Sequence, residues 1–574
     1  MTKQIIRREV NTAHQLPETL HPVLQRIFAS RDITVADDID YSLKGLLPFH
    51  ELQNIDLAVD QLKLMIKGKK RLLIVADFDT DGATSCALAI RGLNAMGLQD
   101  VTYVVPNRFE YGYGLSPEIV DVALEFDPDV IMTVDNGISS LPGVKYAKDQ
   151  GVNVIITDHH LPPTELPAAD VIINPQLSDD KFASKNLAGV GVVFYLLMAL
   201  RASLREDDWF ENENIIYPNL AQMLDLVALG TVADVVPLDK NNRIMLAHGL
   251  KLIQEGRARP GIHALLTVAG KSARRIDAAT LGFAIAPRMN AAGRLTDMSL
   301  GIECLLSDDR ESAMDHARQL DKLNMERRQI QDEMQAQALI QVDNSLQKIE
   351  QKPAAGICIY HHEWHQGVIG ILAAKVKDRF NRPVIVFAKE MDNKLKGSAR
   401  SIEGLHIRDL LESIAMAHPD LVITFGGHAM AAGLTIAEAS FNQFKNIFEN
   451  QVERLVSPAQ LQEICITDGE LNPDELSIKL AAEIQTAGPW GQAFPEPLFD
   501  GCFYILDKKV VGGSHLKLRL QMNRSSKPVD AICFNMTDNA WPDDIERIKA
   551  AYRLSINEYQ NRENLQLVIE QIEP

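Results

Sequence analysis

Three carboxylates, Asp77, Asp79 and Asp81, fall within five residues of the stretch RLLIVADFDTDGA (71–83), and Gly82 follows at once. Leu72–Val75 before them is short, apolar and rich in branched side chains, the composition of a strand buried on both faces. The glycine and the periodic Ala-Leu-Ala-Ile after them predict a turn entering a helix. Acids this close repel one another at the end of a buried strand, and a divalent cation held by hard oxygen ligands neutralises them most simply. A solvated acidic turn is the other reading of this stretch taken alone.

Two further strand-like runs end in ligand-type side chains. Asp135 follows Val130–Val134, and Asp158-His159-His160 follows Val154–Thr157. Asp234, in GTVADVVPL, comes just after the helical pattern of Leu220–Leu229. Singly, Asp135 reads as a turn residue and Asp234 as an acid at a helix end. Together with Asp77, Asp79, Asp81, His159 and His160 they point to a metal site, because open α/β sheets place sites beyond the carboxyl ends of their strands.

The elements that must hold these residues alternate at the pitch of β-α-β units. Ile55–Ile66 has helical spacing; Val101–Val105, Val130–Val134, Val154–Thr157 and Val171–Ile173 read as strands, with Ser116–Phe126 and Leu141–Gln150 as helices between them. This predicts a parallel sheet. Residues 1–50 lack clear periodicity and read as an irregular N-terminal cap, and 201–217 as an acidic surface excursion. From Ser312 to Val342 runs a long, charged helical pattern, which needs tertiary support and is expected to bridge two domains. After Lys352–Pro353 a second α/β pattern begins: Gly356–Tyr360, a helix from Ile369 to Phe380, then Val384–Phe387. It carries the clusters WHQGVIG (364–370), GSARS (397–401) and FGGHAMAAG (425–433); the glycines of the last suit a tight turn with exposed amides. Beyond Cys465 the pattern changes to short β-like pieces. In His515–Gln521 the alternation puts Leu516, Leu518 and Leu520 toward a core and Lys517 and Arg519 toward solvent. A basic face of that kind suits an oligonucleotide-binding barrel, and an ordinary solvated strand is the alternative.

Composition narrows the class. A chain of 574 residues exceeds one core, and its six scattered cysteines form no CxxC pair, which argues against zinc fingers and disulfide frameworks and suits a reducing cytosol. The start, MTKQIIRREV, has no apolar signal-peptide core. The longest apolar run, Val190–Leu200, is shorter than the ~20 residues a bilayer span needs. These features predict a cytoplasmic protein. The net charge of −19 excludes a uniformly positive surface but not a local basic groove. Ala273–Arg328 is rich in arginine, and PRMNAAGRL within it sets Arg288 and Arg294 around small residues.

ADFDTDG, VDNGIS, TDHH and GTVADVVPL, in that order, resemble the signature motifs of the DHH phosphoesterase superfamily. FGGHAMAAG with GSARS resembles its associated DHHA1-type second domain. PNRFEYGYGL, RMNAAGRL, WHQGVIGI, GPWGQAFPEP and the β-rich C-terminus are similar to the RecJ exonucleases within it, and the likeness runs nearly the whole chain. It implies an α/β protein with a DHH parallel-sheet domain (51–310) after the cap (1–50), a bridging helix (311–350), a DHHA1-type domain (351–455) and a C-terminal OB-like β-barrel (456–574). It implies that Asp77, Asp79, Asp81, Asp135, His159 and Asp234 bind metal and that His160 faces the scissile phosphate. Arg108, Arg288 or Arg294, Ser398, Arg400 and His428 stand where the family holds its substrate; Ala76 and Phe78, which depart from the Gly or Tyr of many relatives, are not ligands. The implied activity is 5′→3′ exonucleolytic hydrolysis of single-stranded DNA to mononucleotides in repair and recombination. Implied partners are a single strand with a 5′ end, single-strand-binding protein and a RecQ-type helicase, for a monomer that meets no membrane.

The residue types agree with that chemistry. Two metals about 3.5–4 Å apart activate a water and stabilise the leaving oxygen in phosphodiester hydrolysis. Carboxylates favour Mg²⁺ or Mn²⁺, the imidazole of His159 tilts toward Mn²⁺, and Asp135, central in the motif order, is the expected bridge. One alternative is a DHH phosphodiesterase for cyclic dinucleotides or very short oligonucleotides, which has no use for the chain beyond Cys465. The other is a non-catalytic DNA-binding scaffold, which would have lost ligands that this chain retains.

Overall fold

The computed structural model describes residues 4–107, 114–347, 355–457, 460–513, 515–534, 546–559 and 562–573. They form two compact units that do not follow chain order: Glu9–Asn324 with Ala482–Pro497, and Met1–Arg8 with Met325–Ala481 and Leu498–Pro574. The first strand, β1 (Gln4–Arg7), belongs to the second unit.

The first unit is built on β2 (Leu72–Ala76), β3 (Val101–Val104), β4 (Val130–Val134), β5 (Asn153–Thr157) and β6 (Val171–Ile173). They make a five-stranded, fully parallel sheet in the order β3-β2-β4-β5-β6. Leu73, Val75, Ile131, Val154 and Ile156 share one core with the helices Pro117–Leu124 and Leu141–Asp149. Ile74, Met132 and Ile155 are equally buried, so β2, β4 and β5 are covered on both faces, as their unbroken apolar runs predict. Val190–Leu200 lies in the buried helix Gly189–Glu206, and among the described residues no helix is long and apolar enough to cross a membrane.

The acids of 201–217 are exposed, as expected of an acidic surface stretch, but the segment is anchored. Its first six residues complete the helix Gly189–Glu206; Phe210 is buried, and Trp209 Nε1 donates to Met96 O at 2.9 Å. Two aromatic anchors inside the acidic run tie it to the unit.

The second unit holds a mixed sheet and a barrel. β7 (Ile357–His361), β8 (Val384–Glu390), β9 (Lys394–Arg400), β10 (Thr424–Gly427) and β11 (Ala431–Ala437) order as β10-β11-β9-β8-β7, with only β7 and β8 parallel. FGGHAMAAG is therefore a β-hairpin, with Gly426 facing Gly433 and Gly427 facing Ala432. β12 (Ile464–Thr467) pairs in parallel with β1. β13 (Phe499–Val511), β14 (His515–Gln521), β15 (Val529–Cys533), β16 (Arg547–Tyr559) and β17 (Arg562–Glu573) close a barrel in the order β13-β14-β15-β17-β16. Leu516, Leu518 and Leu520 fill its interior beside Phe499, Phe503 and Tyr552, as the alternation of β14 requires. Arg7 grips Asp500 through Nε (3.0 Å) and Nη2 (2.7 Å), fastening β1 to the first barrel strand, so the N-terminal strand is no part of a separate cap.

The segment GPWGQAFPEP joins the first unit instead. Trp490 stacks on Phe494 with centroids 5.0 Å apart, Arg243 covers Phe494 at 4.4 Å, and Leu238 N donates to Gln492 O at 2.8 Å.

Candidate active site

The acids of 77–81 reach one place by three different routes. Asp77 directly follows β2, and its Oδ1 accepts from Phe78 N at 2.8 Å. Asp79 is the N-cap of the helix Thr80–Ala95, its Oδ1 taking the amides of Asp81 (2.8 Å) and Gly82 (3.1 Å). Asp81, wholly buried in the first turn, accepts from the amides of Gly189 (2.6 Å) and Val190 (3.0 Å) at the start of the helix Gly189–Glu206. Those amides and the helix's positive end offset part of the cost of burying that charge.

Asp135 follows β4 in the left-handed region, φ 63°. His159, just beyond β5, sets Nε2 at 3.1 Å from Asp135 Oδ1, 3.4 Å from Asp234 Oδ2 and 4.0 Å from Asp81 Oδ2. Asp234 is the C-cap of the helix Leu224–Ala233. Three groups of potential ligand atoms each lie within 4.8 Å: Asp77, Asp79 and Asp135; Asp81, His159 and Asp234; Asp135, His159 and His160. Glycines make the room: a Cβ on Gly189 would stand 2.6 Å from that of Asp135, and one on Gly230 would stand 2.6 Å from Asp81 Oδ1.

The electrostatics call for a cation. Two carboxylates within 4.8 Å of each other repel by roughly 3 kcal/mol or more at an effective dielectric of 20, and several such pairs would rival the ~5–15 kcal/mol stability of a domain. Accordingly burial, then Asp79, pushes the Asp81 carboxyl up to about 7. Burial, then Asp81 and Asp79, raises Asp135 and Asp234 well above the usual carboxylate range. Buried acids with one imidazole among them are a hard-oxygen set that fits Mg²⁺ or Mn²⁺. Asp77, Asp79, Asp81, Asp135, His159 and Asp234 are the side chains placed to hold such ions.

Asp158 plays a part that the motif alone did not assign. Fully buried, its Oδ1 accepts from the amides of His159 (2.7 Å) and His160 (3.0 Å) and from His160 Nδ1 (2.7 Å), and its Oδ2 from Ile138 N (2.9 Å). It is a positioning residue: the bond to Asp158 takes Nδ1 and so fixes the direction in which Nε2 points. Burial opposes protonation of His160, but the hydrogen bond and charge of Asp158 prevail and lift it to about 9. An acid whose side chain caps the two amides after it was legible as an Asx turn. Asn290 was not legible: its Oδ1 accepts from Thr80 N (2.8 Å) and Thr80 Oγ1 (2.6 Å) from 210 positions away.

The expected substrate residues fare unequally. Arg108 lies outside the described residues. Arg288 is corrected: it is buried, Nε donates to Asp321 (2.8 Å) and Nη1 to Ala284 O (2.6 Å), so its guanidinium braces two helices and is not open to a phosphate. Arg294 is half-buried in the last turn of the helix Ala286–Leu295. In the second unit Arg400 donates to Ser398 Oγ (3.2 Å) and Ala399 O (2.8 Å) and meets no carboxylate among the described residues; burial lowers its pKa. A Cβ on Gly370 would stand 3.1 Å from Arg400 Nη2 and 3.2 Å from Ser398 Oγ, so the missing side chain leaves space where the helix Ile369–Phe380 begins. A hydroxyl, a guanidinium and a helix N-terminus are thus brought together, groups of the kind that bind anions. His428 is exposed at the turn of the hairpin. On the barrel, Lys517 is partly neutralised by Asp530 at 3.0 Å, whereas Arg519 is exposed between Asp507 and Asp530 on the adjoining strands.

Three family models match the chain: the DHH family N-terminal domain over residues 71–231, the DHHA1 domain over 331–454 and the RecJ OB domain over 467–571. The single-stranded-DNA-specific exonuclease RecJ of Salmonella typhimurium is 50% identical over 573 residues, 100% of this chain and 99% of that one. The chain belongs to the RecJ family. Among solved structures, RecJ from Thermus thermophilus in complex with Mn²⁺ is similar at a TM-score of 0.81 and 29% identity, covering 100% of this chain and 79% of that one. The Mg²⁺ complex of the same protein gives 0.74 and 27% over 100% and 78%. RecJ-family membership spans both units, the barrel included.

Proposed function

We propose that this protein is a 5′→3′ exonuclease that hydrolyses single-stranded DNA to mononucleotides. The observation that carries this reading is the convergence of five aspartates, His159 and His160 at the ends of β2, β4, β5 and the helix Leu224–Ala233. Solved relatives in complex with Mn²⁺ and with Mg²⁺ support divalent ions on Asp77, Asp79, Asp81, Asp135, His159 and Asp234, and phosphodiester hydrolysis uses two of them. Such ions supply an activated water and stabilise the leaving oxygen.

The chain's own residues orient the substrate. Asp158 fixes His160 through Nδ1, and the protonated ring donates from Nε2 to a phosphate oxygen. Ser398, Arg400 and the helix end at Gly370 hold a phosphate: a terminal phosphate carries more charge than a diester, so a cradle of this kind selects an end. Arg108, Arg294 and His428 belong to the same reading, as do Arg519 and Lys517 on the barrel. A cytoplasmic monomer working with single-strand-binding protein and a RecQ-type helicase completes it. The barrel weighs against a small-substrate phosphodiesterase, and the full set of acids against a non-catalytic scaffold. The test is a pair of single strands, one blocked at each end. Digestion of the 3′-blocked strand alone supports the stated direction; digestion of the 5′-blocked strand alone reverses it.

A further inference from the structure

The helix that reaches the catalytic turn begins with a bare phenyl ring. Leu281–Ile285 is a π turn that continues into the helix Ala286–Leu295. The positions not buried are Gly282, Phe283, Pro287, Asn290, Arg294 and Leu295. Of these, Phe283, Pro287, Asn290 and Arg294, at i, i+4, i+7 and i+11, fall on one stripe. Asn290 in that stripe holds the amide and hydroxyl of Thr80, the residue after Asp79. At 1.5 Å per residue, Phe283 lies about 10 Å along the axis from Asn290.

Two further features mark the place. Phe283 is 81% exposed, more than any other aromatic side chain among the described residues. Val235, directly after Asp234, is 61% exposed with φ 61°, a conformation that costs a β-branched residue energy and that clusters at working sites. A Cβ on Gly282 would stand 3.2 Å from Val232 Cγ1, so the π turn and the Asp234 corner are neighbours. Single π turns themselves concentrate where helices do something other than pack.

We propose that Phe283 is a stacking platform for a base of the single strand, which it holds on the stripe leading to Thr80 and Asp79. This rests on the nuclease reading above. Every base has a π face, so stacking tolerates any sequence, as a nuclease that must traverse all of them requires. In a duplex those faces are covered by neighbouring bases, so the ring favours an unstacked strand.

The test uses the full chain loaded with Mn²⁺, with Phe283→Ala, Phe283→Trp and, as control, Phe126→Ala, an exposed ring just before β4 at the other end of the sheet. Steady-state rates are measured on single strands carrying one abasic position scanned inward from the 5′ end. Phe283→Ala should lower kcat/KM roughly 5- to 100-fold on the intact strand, mostly through KM. Phe283→Trp should restore it, and Phe126→Ala should match the wild type. At one abasic position the wild type should fall to the level of Phe283→Ala. Equal rates for wild type and Phe283→Ala on the intact strand, or an undiminished difference at every abasic position, would overturn the platform alone. A wild type that cuts no single strand would overturn the nuclease reading, and the platform with it.

Discussion

At the scale of the residue, the site is a concentration of negative charge that the protein alone does not neutralise. Asp81, raised to about 7, and His160, raised to about 9, both hold protons in the folded state that an unfolded chain would release earlier. Between the unfolded carboxylate range near 4 and pH 9, the native state therefore binds more protons than the unfolded one, and stability must fall as pH rises. Divalent ions displace those protons, so their stabilising effect should grow with pH. Melting the protein with chelator or with Mn²⁺ at pH 5.5 and pH 8 checks this: the Mn²⁺ increment should be larger at pH 8. An equal increment at both would mean the acids are not the ligands. The candidate ligands were legible because Asp77 and Asp135 directly follow apolar runs and the others stand within a few residues of such an end. Asn290 was not, since nothing in PRMNAAGRL tells of a bond to Thr80.

At the scale of the element, two expectations change. Arg288 stands in a motif rich in small residues, which reads as a phosphate approach, but the tertiary fold supplies Asp321 from the long helix Arg310–Gln347. Arg288→Met and Asp321→Asn should each destabilise by on the order of 3 kcal/mol, since either leaves a charge or dipole in a mostly buried place without its partner. Urea melts measure this; a phosphate role would instead weaken DNA binding in Arg288→Met while sparing Asp321→Asn. On the barrel, strand alternation alone disclosed β14 from His515 to Gln521, but the acids facing its cations sit on β13 and β15 and no local pattern reveals them. Each phosphate neutralised on a single strand contributes about 0.7 to the slope of log K against log salt. Arg519→Ala should lower the slope by about that amount, and Lys517→Ala, already paired with Asp530, by less. Salt titrations of long-strand affinity decide; unchanged slopes in both would make β14 a solvated strand only.

At the scale of the molecule, the chain order and the spatial order disagree. A linear division from 456 onward assigns GPWGQAFPEP to the barrel, yet this strap lies on the first unit, with Trp490 6.0 Å from Phe28 and Gln492 O bonded just after the Asp234 corner. Trp490→Ala should cost about 2 kcal/mol, and protease protection of Pro22–Ala29 should fall with it; no change in that helix would return the strap to the barrel. The sheet and barrel were legible from periodicity, but the strap and β1 were not, because contacts made across hundreds of residues leave no local pattern.

The central claim is that the acids around His159 hydrolyse phosphodiesters of single-stranded DNA with divalent ions. The most direct measurement is release of mononucleotides from a 5′-labelled single strand in Mn²⁺ or Mg²⁺, wild type beside Asp135→Ala. The wild type should release 5′ mononucleotides only when the metal is present, while Asp135→Ala binds the strand with similar affinity and releases none. Full activity in Asp135→Ala, or release by the wild type in chelator, would contradict it.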